Sequence, residues 1–380
     1  MNKLAGILVV ACLAPLFGGV ACADTMLDNL NWSIQYLIDT SQDDFGLSQV
    51  SEPRDNRGLA LDPTGRYLYA GYNNAWGSSG CVRRIDLTQS DYIDAADAQL
   101  TGVRGKGIAV DDVGRVYLAE GSSIKVYNAD LSTNLFEIPG LTRSEGVAVT
   151  RSGGQLALYS TDRTDGNLMK WLLTESGAAL SLATLDTTFG TSGIVSVPSD
   201  PSGVEVDGAG RVWVTSKGND TLYRVSADGA TVDSTTVSTP QDVGIDGNTV
   251  LVTTSQNRTI ARLDAETFSS LGSDLTIPWD ALKLDPDGQG DHATLSGIVV
   301  VPGHAIYVSN EAGQTANEKS TYGQVDGNSG FDGADYYTDL IRDDNEPILL
   351  AAVPEPTTAI LLLCASVAVL ATRRRRRFNP

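Results

Sequence analysis

Arg57, Lys106 and Glu145 each stand directly before a glycine that opens a short apolar run, and Ser202, Gln241 and Ser296 hold the same place in three sister runs. If the fold gathers these places, it assembles two cations, one carboxylate and three neutral hydrogen-bonding groups. Such a set suits a polar or ionic ligand. It suits a divalent metal poorly, because a hard cation wants several oxygen ligands with compensating charge and Arg57 and Lys106 oppose it. Glu205 is the other conspicuous carboxylate. It replaces the small Ala60, Ala109 and Ala148 of three sister runs, in a strand expected to be crowded, where a carboxylate must find a partner or water. A structural ion pair is the simpler reading; a polar ligand pocket beside Arg57 and Lys106 is the alternative. The two histidines, His292 and His304, lie in the connector or turn around one run, and a lone loop histidine is more often solvated than a general base.

The elements that must position these groups are repeats. The clearest covers 202–229, with short β-branched and aromatic runs at 203–206, 211–215 and 221–226 separated by Asp207-Gly-Ala-Gly210 and Lys217-Gly-Asn-Asp220, the signature of tight hairpins. Six copies align on Gly58, Gly107, Gly146, Gly203, Asp242 and Gly297, at intervals of 49, 39, 57, 39 and 55 residues. Periods near forty with about four strands per unit predict a propeller of small sheets, each covering its neighbour's apolar face. The expected fold is therefore all-β, a six-bladed β-propeller over 24–350 with repeats starting near 57, 106, 145, 202, 241 and 296. Fourth strands are expected at 135–139, 194–198, 235–238 and 275–278, and 172–201 reads as a surface elaboration. Trp32, Ile34, Tyr36 and Ile38 alternate in a strand before the first repeat, which competes with 336–341 to close the ring.

Residues 1–23 read as a secretory signal, with Lys3, an apolar run and Ala21-Cys-Ala23 as a cleavage site. The body then retains Cys81 alone among its cysteines, so no disulfide framework is expected, and Cys81 reads as a small buried residue. Of the 47 acidic residues 46 lie between Asp24 and Ala352, with 21 of the 27 basic ones, because Glu355, Lys3 and the five terminal arginines fall outside. A body charge of −25 excludes nucleic acid as a partner and keeps an exported protein soluble.

Two segments resemble known modules. Residues 324–335 resemble half of a dockerin calcium loop, which would assign Asp326, Asn328, Asp332 and Asp335 as oxygen ligands and Gly330 as a carbonyl donor. Calcium is thus the one cofactor considered. Gln324 at the first ligand place and Ser329 in place of the turn glycine depart from the pattern, and a turn between blade strands 321–325 and 336–341 is the preferred reading. Val353-Pro-Glu-Pro356, an apolar run at 359–371, and then Arg373, Arg374, Arg375, Arg376 and Arg377 resemble the PEP-CTERM sorting tail. Pro354, Glu355 and Pro356 form its motif. The resemblance implies an exosortase-type processing enzyme as partner, a temporary tether in the inner membrane with the arginines cytoplasmic, and a later place at the cell surface or outside. Thirteen apolar residues span about 20 Å as a helix against a roughly 30 Å core, which suits a temporary anchor.

The repeat pattern itself, Gly-φ-Ala-φ-Asp with φ an apolar residue, then a turn and an aromatic-rich strand, resembles the six-bladed NHL, gluconolactonase and streptogramin-lyase propellers over 31–341. In the gluconolactonase family the residue before the repeat glycine points into a central channel, and a Glu, an Asn and an Asp there hold a catalytic metal; here only Glu145 is a carboxylate. The lyases rely on histidine. The resemblance therefore implies a fold without the chemistry of its best-known members. The expected function is a cell-surface or extracellular-matrix binding protein, with a polysaccharide or surface protein as ligand near Arg57, Lys106, Glu145 and Glu205. The alternative is a secreted lactone hydrolase or lyase with a rearranged channel site.

Overall fold

The computed structural model describes residues 31–37, 56–72, 80–88, 96–176, 179–255, 259–276, 294–301, 305–311 and 347–353. These form six antiparallel sheets. The first strand of the chain, β1 (Asn31–Leu37), belongs to the last sheet. The first sheet is β2 (Asn56–Leu61), β3 (Tyr67–Tyr72), β4 (Cys81–Asp86) and β5 (Ala96–Thr101). The second is β6 (Ile108–Val110), β7 (Val116–Glu120), β8 (Ser123–Tyr127) and β9 (Asn134–Pro139). The third is β10 (Ser144–Ser152), β11 (Gln155–Asp162), β12 (Asn167–Ser176) and β13 (Ala179–Leu185), with β14 (Ile194–Ser196) also paired to β12. The fourth is β15 (Pro201–Val206), β16 (Val212–Ser216), β17 (Thr221–Val225) and β18 (Val232–Thr236). The fifth is β19 (Pro240–Asp246), β20 (Thr249–Thr254), β21 (Thr259–Asp264) and β22 (Leu275–Thr276).

Five sheets are thus built from strands consecutive in the chain, and the sixth is composite. It runs β23 (Thr294–Val301), β24 (Ala305–Glu311), β25 (Pro347–Val353) and then β1, so the two ends of the chain pair antiparallel, Asn31 opposite Val353 and Leu37 opposite Ile348. Both ends close the ring, with β1 outermost. The inner strands adjoin in the order β2, β6, β10, β15, β19, β23 and back to β2.

Each apolar cluster is shared by two neighbouring sheets. Tyr117, Ile124 and Val126 of the second pack on Leu156, Leu158 and Trp171 of the third. Trp213 and Leu222 of the fourth pack on Val243, Val250 and Val252 of the fifth. No sheet covers both of its own faces, so the core dries only when the ring is complete. Cys81 is fully buried against Tyr72 and Tyr307 across the junction of the first and last sheets. Burial pushes its thiol pKa up, as fits an inert packing residue.

The repeat aspartate is a turn staple. Asp207 accepts from the backbone N–H of Ala209 (3.0 Å) and Arg211 (2.9 Å), from Arg211 Nε (2.7 Å) and from Trp213 Nε1 (2.9 Å). Asp111 does the same for Val113, Arg115 and the Tyr117 hydroxyl. One buried carboxylate thereby holds the hairpin turn, an arginine and the aromatic of the next strand, which accounts for the Asp-x-x-Gly-Arg motif structurally.

A second device joins the blades. Thr215 Oγ1 accepts from Gly203 N–H (2.8 Å) in its own sheet and donates to the Gln241 carbonyl (2.9 Å) of the next. Thr161 links Gly146 to Ser202, Thr253 links Asp242 to Ser296, and Ser309 links Gly297 to Arg57 in the same way. Where the hydroxyl is missing, at Gly71, the Gly105 backbone moves in and its carbonyl accepts from Gly58 N–H at 3.1 Å. A Cβ on Gly71 would collide with that carbonyl, so glycine is required there.

Several expectations need correction. The third strand of the sixth sheet is Pro347–Val353 and not 321–325, and the closing strand comes from 31–37; 321–325 and 336–341 lie outside the described residues. The propeller therefore runs through Val353, past the expected limit at 350. The segment 172–201 is not a surface elaboration, because β12 runs on to Ser176 and β13 follows in the same sheet. Ile194–Ser196 pairs β12, with Ala179–Leu185 also on that strand, and the fourth strand expected at 235–238 begins earlier, at Val232. In the first sheet the turn holds one extra residue, Asp62 bonding to Tyr67 where Asp207 bonds to Arg211, so the aligned Arg66 does not staple Asp62 and pairs with Asp86 instead.

Candidate functional site

All six pre-glycine residues line one central cavity of about 190 Å³, together with Glu205 and Asp242. They are brought there by the same strand start in each inner strand, and the hydroxyl links above hold the backbone carbonyls of Arg57, Ser202, Gln241 and Ser296 in place. Side-chain chemistry varies around the ring while the backbone that presents it does not.

The half formed by the first three sheets is charged and paired. Lys106 Nζ donates to both Glu145 oxygens, at 2.8 and 3.0 Å, and both side chains are 8% exposed. Arg163 NH1 reaches Glu145 Oε1 at 3.2 Å while its other nitrogens grip Asp200, and Arg143 Nε stands 3.7 Å from Glu145 Oε2. Burial holds the Lys106 ammonium below its usual range, Glu145 pulls it back up, and the positive charges of Arg57 and Arg143 add to the depression. A buried lysine stays paired here among an excess of cations.

The other half is neutral or acidic, with no cation among the described residues that line it. Glu205 makes no ion pair among the described residues; its Oε1 accepts from Val206 N–H at 2.9 Å. The simpler expectation, a structural ion pair, fails, and the residue lines the channel instead. Asp242 Oδ1 accepts from Val243 N–H (2.9 Å) and Oδ2 from Ile298 N–H (3.1 Å) of the next sheet. Burial pushes both carboxyls up to about 7, and the neighbouring Asp242 charge adds to the shift of Glu205. Asp242 escaped the sequence reading as a site residue, although its signal was present: it replaces the repeat glycine. Arg143, Arg163 and Asp200 lie outside the inner-strand motif and carried no signal.

The divalent metal of gluconolactonase-like propellers does not fit this ring. The one rim carboxylate, Glu145, is engaged by lysine and arginines, and no group of three His, Cys, Asp or Glu side chains placed to hold a metal occurs among the described residues. The calcium-loop residues Asp326, Asn328, Asp332 and Asp335 lie outside the described residues, as do the signal segment, His292 and His304. No helix among the described residues is long and apolar enough to cross a membrane, and the apolar run at 359–371 lies outside them.

Comparison with known proteins finds the PEP-CTERM protein-sorting motif at residues 352–377, beginning inside β25. No curated protein matches the chain in sequence. Among solved structures, the chain is similar to a catalytically inactive virginiamycin B lyase from Staphylococcus aureus with quinupristin (14% identity, TM-score 0.47, 85% of this chain and 100% of that one). It is also similar to a nidogen/laminin complex (16%, 0.46, 66% and 86%) and to a protein of unknown function from Bacteroides caccae (13%, 0.47, 64% and 84%). At such identities and TM-scores these likenesses carry no argument about this chain. The chain is an exported β-propeller protein that carries a PEP-CTERM sorting motif, the mark of a protein held by its C-terminal tail until an exosortase acts on it.

Proposed function

We propose that this propeller is a binding protein of the cell surface or extracellular matrix, and that its ligand enters the channel mouth at Arg57, Lys106 and Glu145, with Glu205 deeper in the same cavity. One observation carries the reading: residues picked from four different repeats line a single polar cavity, whose one rim carboxylate, Glu145, is already engaged by Lys106 and arginines. Concave sites with a few convergent polar groups are where small ligands bind. Incubating the purified protein with isolated extracellular polymer tests it. Retention of the protein without release of small products is the expected result; no retention on any surface fraction overturns it.

A second reading, a lactone hydrolase or lyase with a rearranged site, draws on one specific observation. Glu205 and Asp242 are channel carboxyls with pKa values near 7, matched to proton transfer at neutral pH. Turnover of any member of a lactone panel, abolished by Glu205→Gln, would favour it over the binding protein.

A further inference from the structure

We propose that Arg57, Lys106 and Arg143 form a subsite for the carboxylate of an acidic sugar, so that the ligand of the channel mouth is a uronate unit of an anionic polysaccharide. The inference rests on the binding-protein reading and names its ligand class.

Charge is the first ground. Lys106, Arg163 and Arg143 converge on one carboxylate, Glu145. Arg163 divides itself between Glu145 and Asp200, whereas Arg143 only approaches Glu145 at 3.7 Å and its side chain is 45% exposed. Arg57 lies close enough to Lys106 to oppose its charge. The local sum is positive inside a body of net charge −25. Screening at physiological salt acts over about 8 Å, so the distant acidic surface neither cancels this spot nor attracts an anion elsewhere. An arginine fork matches a carboxylate in bidentate geometry, and a lysine adds a point charge beside it.

Shape and polarity are the second ground. The facing half of the rim offers Ser202, Gln241 and Ser296, neutral groups of the kind that meet hydroxyls. The Gln241 side-chain nitrogen is shielded from solvent and has no hydrogen-bond partner among the described residues. A cavity of about 190 Å³ is smaller than the roughly 300–1,000 Å³ that encloses a drug-sized ligand. It admits one ring, or the end of a chain that continues outward from the mouth.

The test is calorimetric titration of the full-length chain in mild detergent with a trigalacturonate, a neutral trisaccharide and inorganic phosphate, repeated on an Arg57→Gln/Arg143→Gln variant, on Arg143→Gln alone, and on Lys125→Gln in β8, a lysine that does not line the cavity. The expected result is binding of the uronate about tenfold or more tighter than the neutral sugar, since one charge-assisted contact accounts for about that factor. Both arginine variants lose that advantage, Arg143→Gln with an unchanged melting temperature because its side chain is 45% exposed, and Lys125→Gln keeps it. Equal binding of acidic and neutral sugars, or an affinity indifferent to the two arginines, overturns the proposal. So does phosphate competing as well as the uronate, which would reveal a general anion site. Retention on a neutral polymer with no uronate binding sinks this proposal and leaves the binding-protein reading standing. Failure of all retention on surface polymer, with uronate still bound, sinks that reading instead.

Discussion

The two halves of the channel rim share a backbone and differ in how their charges are settled. In the first three sheets a buried lysine and a buried glutamate neutralise each other at 2.8 Å, with arginines around them. In the fourth and fifth sheets two half-buried carboxyls face the same cavity and accept hydrogen bonds from backbone N–H groups. One half resolves burial by pairing its charges, the other by holding its carboxyl pKa values up to about 7. A repeat therefore dictates where a side chain points and leaves open what it does there.

The largest expected effect breaks the paired half. Glu145→Ala leaves the Lys106 ammonium buried without its partner, and removing one member of a buried pair costs about 3–5 kcal/mol. Replacing both, as Lys106→Met with Glu145→Leu, should recover most of that loss. Denaturant melts of the three proteins check this; equal stability of Glu145→Ala and the parent would mean that the pair is not buried in solution.

The unpaired half gives a smaller effect with a defined sign. Glu205 and Asp242 titrate near 7 in the folded chain, against ordinary values of 4.5 and 3.8. Unfolded chain loses these protons at about pH 4 while folded chain keeps them to about pH 7. Stability from these groups is therefore full below about pH 4 and falls as pH rises to about 7. Glu205→Gln should stabilise the protein at pH 8 by on the order of 1–3 kcal/mol and do little at pH 4. Thermal melts across that range decide; a gain that is the same at both ends sinks the assignment.

The smallest effect concerns the backbone that both halves share. Thr215→Val removes the hydroxyl between Gly203 and Gln241 and should cost about 1 kcal/mol, because the Gly203 N–H loses its acceptor while the Gln241 carbonyl keeps the Ser202 hydroxyl as donor. Glycine spacing alone does not foresee this cost. A neutral substitution would show that the blades hold together through apolar packing alone.

Much of the fold was legible because the repeat is local. Glycine, aspartate and alternating β-branched residues recur at fixed offsets, and each hairpin writes its own turn chemistry into neighbouring residues, as Asp207, Arg211 and Trp213 do. The misplaced parts were those without such local chemistry. The segment 172–201 lacks the glycine motif and reads as a surface elaboration, although its apolar residues at Leu173 and Leu180 pack into the core. The sixth sheet takes its closing strand from 31–37, legible from its alternation, but its third strand from 347–353, which no repeat spacing marks.

By itself the sequence determined six repeats, the six rim positions, the acidic body and the sorting tail, because each depends on residue type at short spacing. Tertiary structure decided the rest: the pairing of both chain ends in one sheet, the meeting of Lys106 with Glu145 across 39 residues, and the placing of Asp242 beside Glu205. Those neighbours exist only once the ring closes, since each inner strand acquires its environment from the blades on either side.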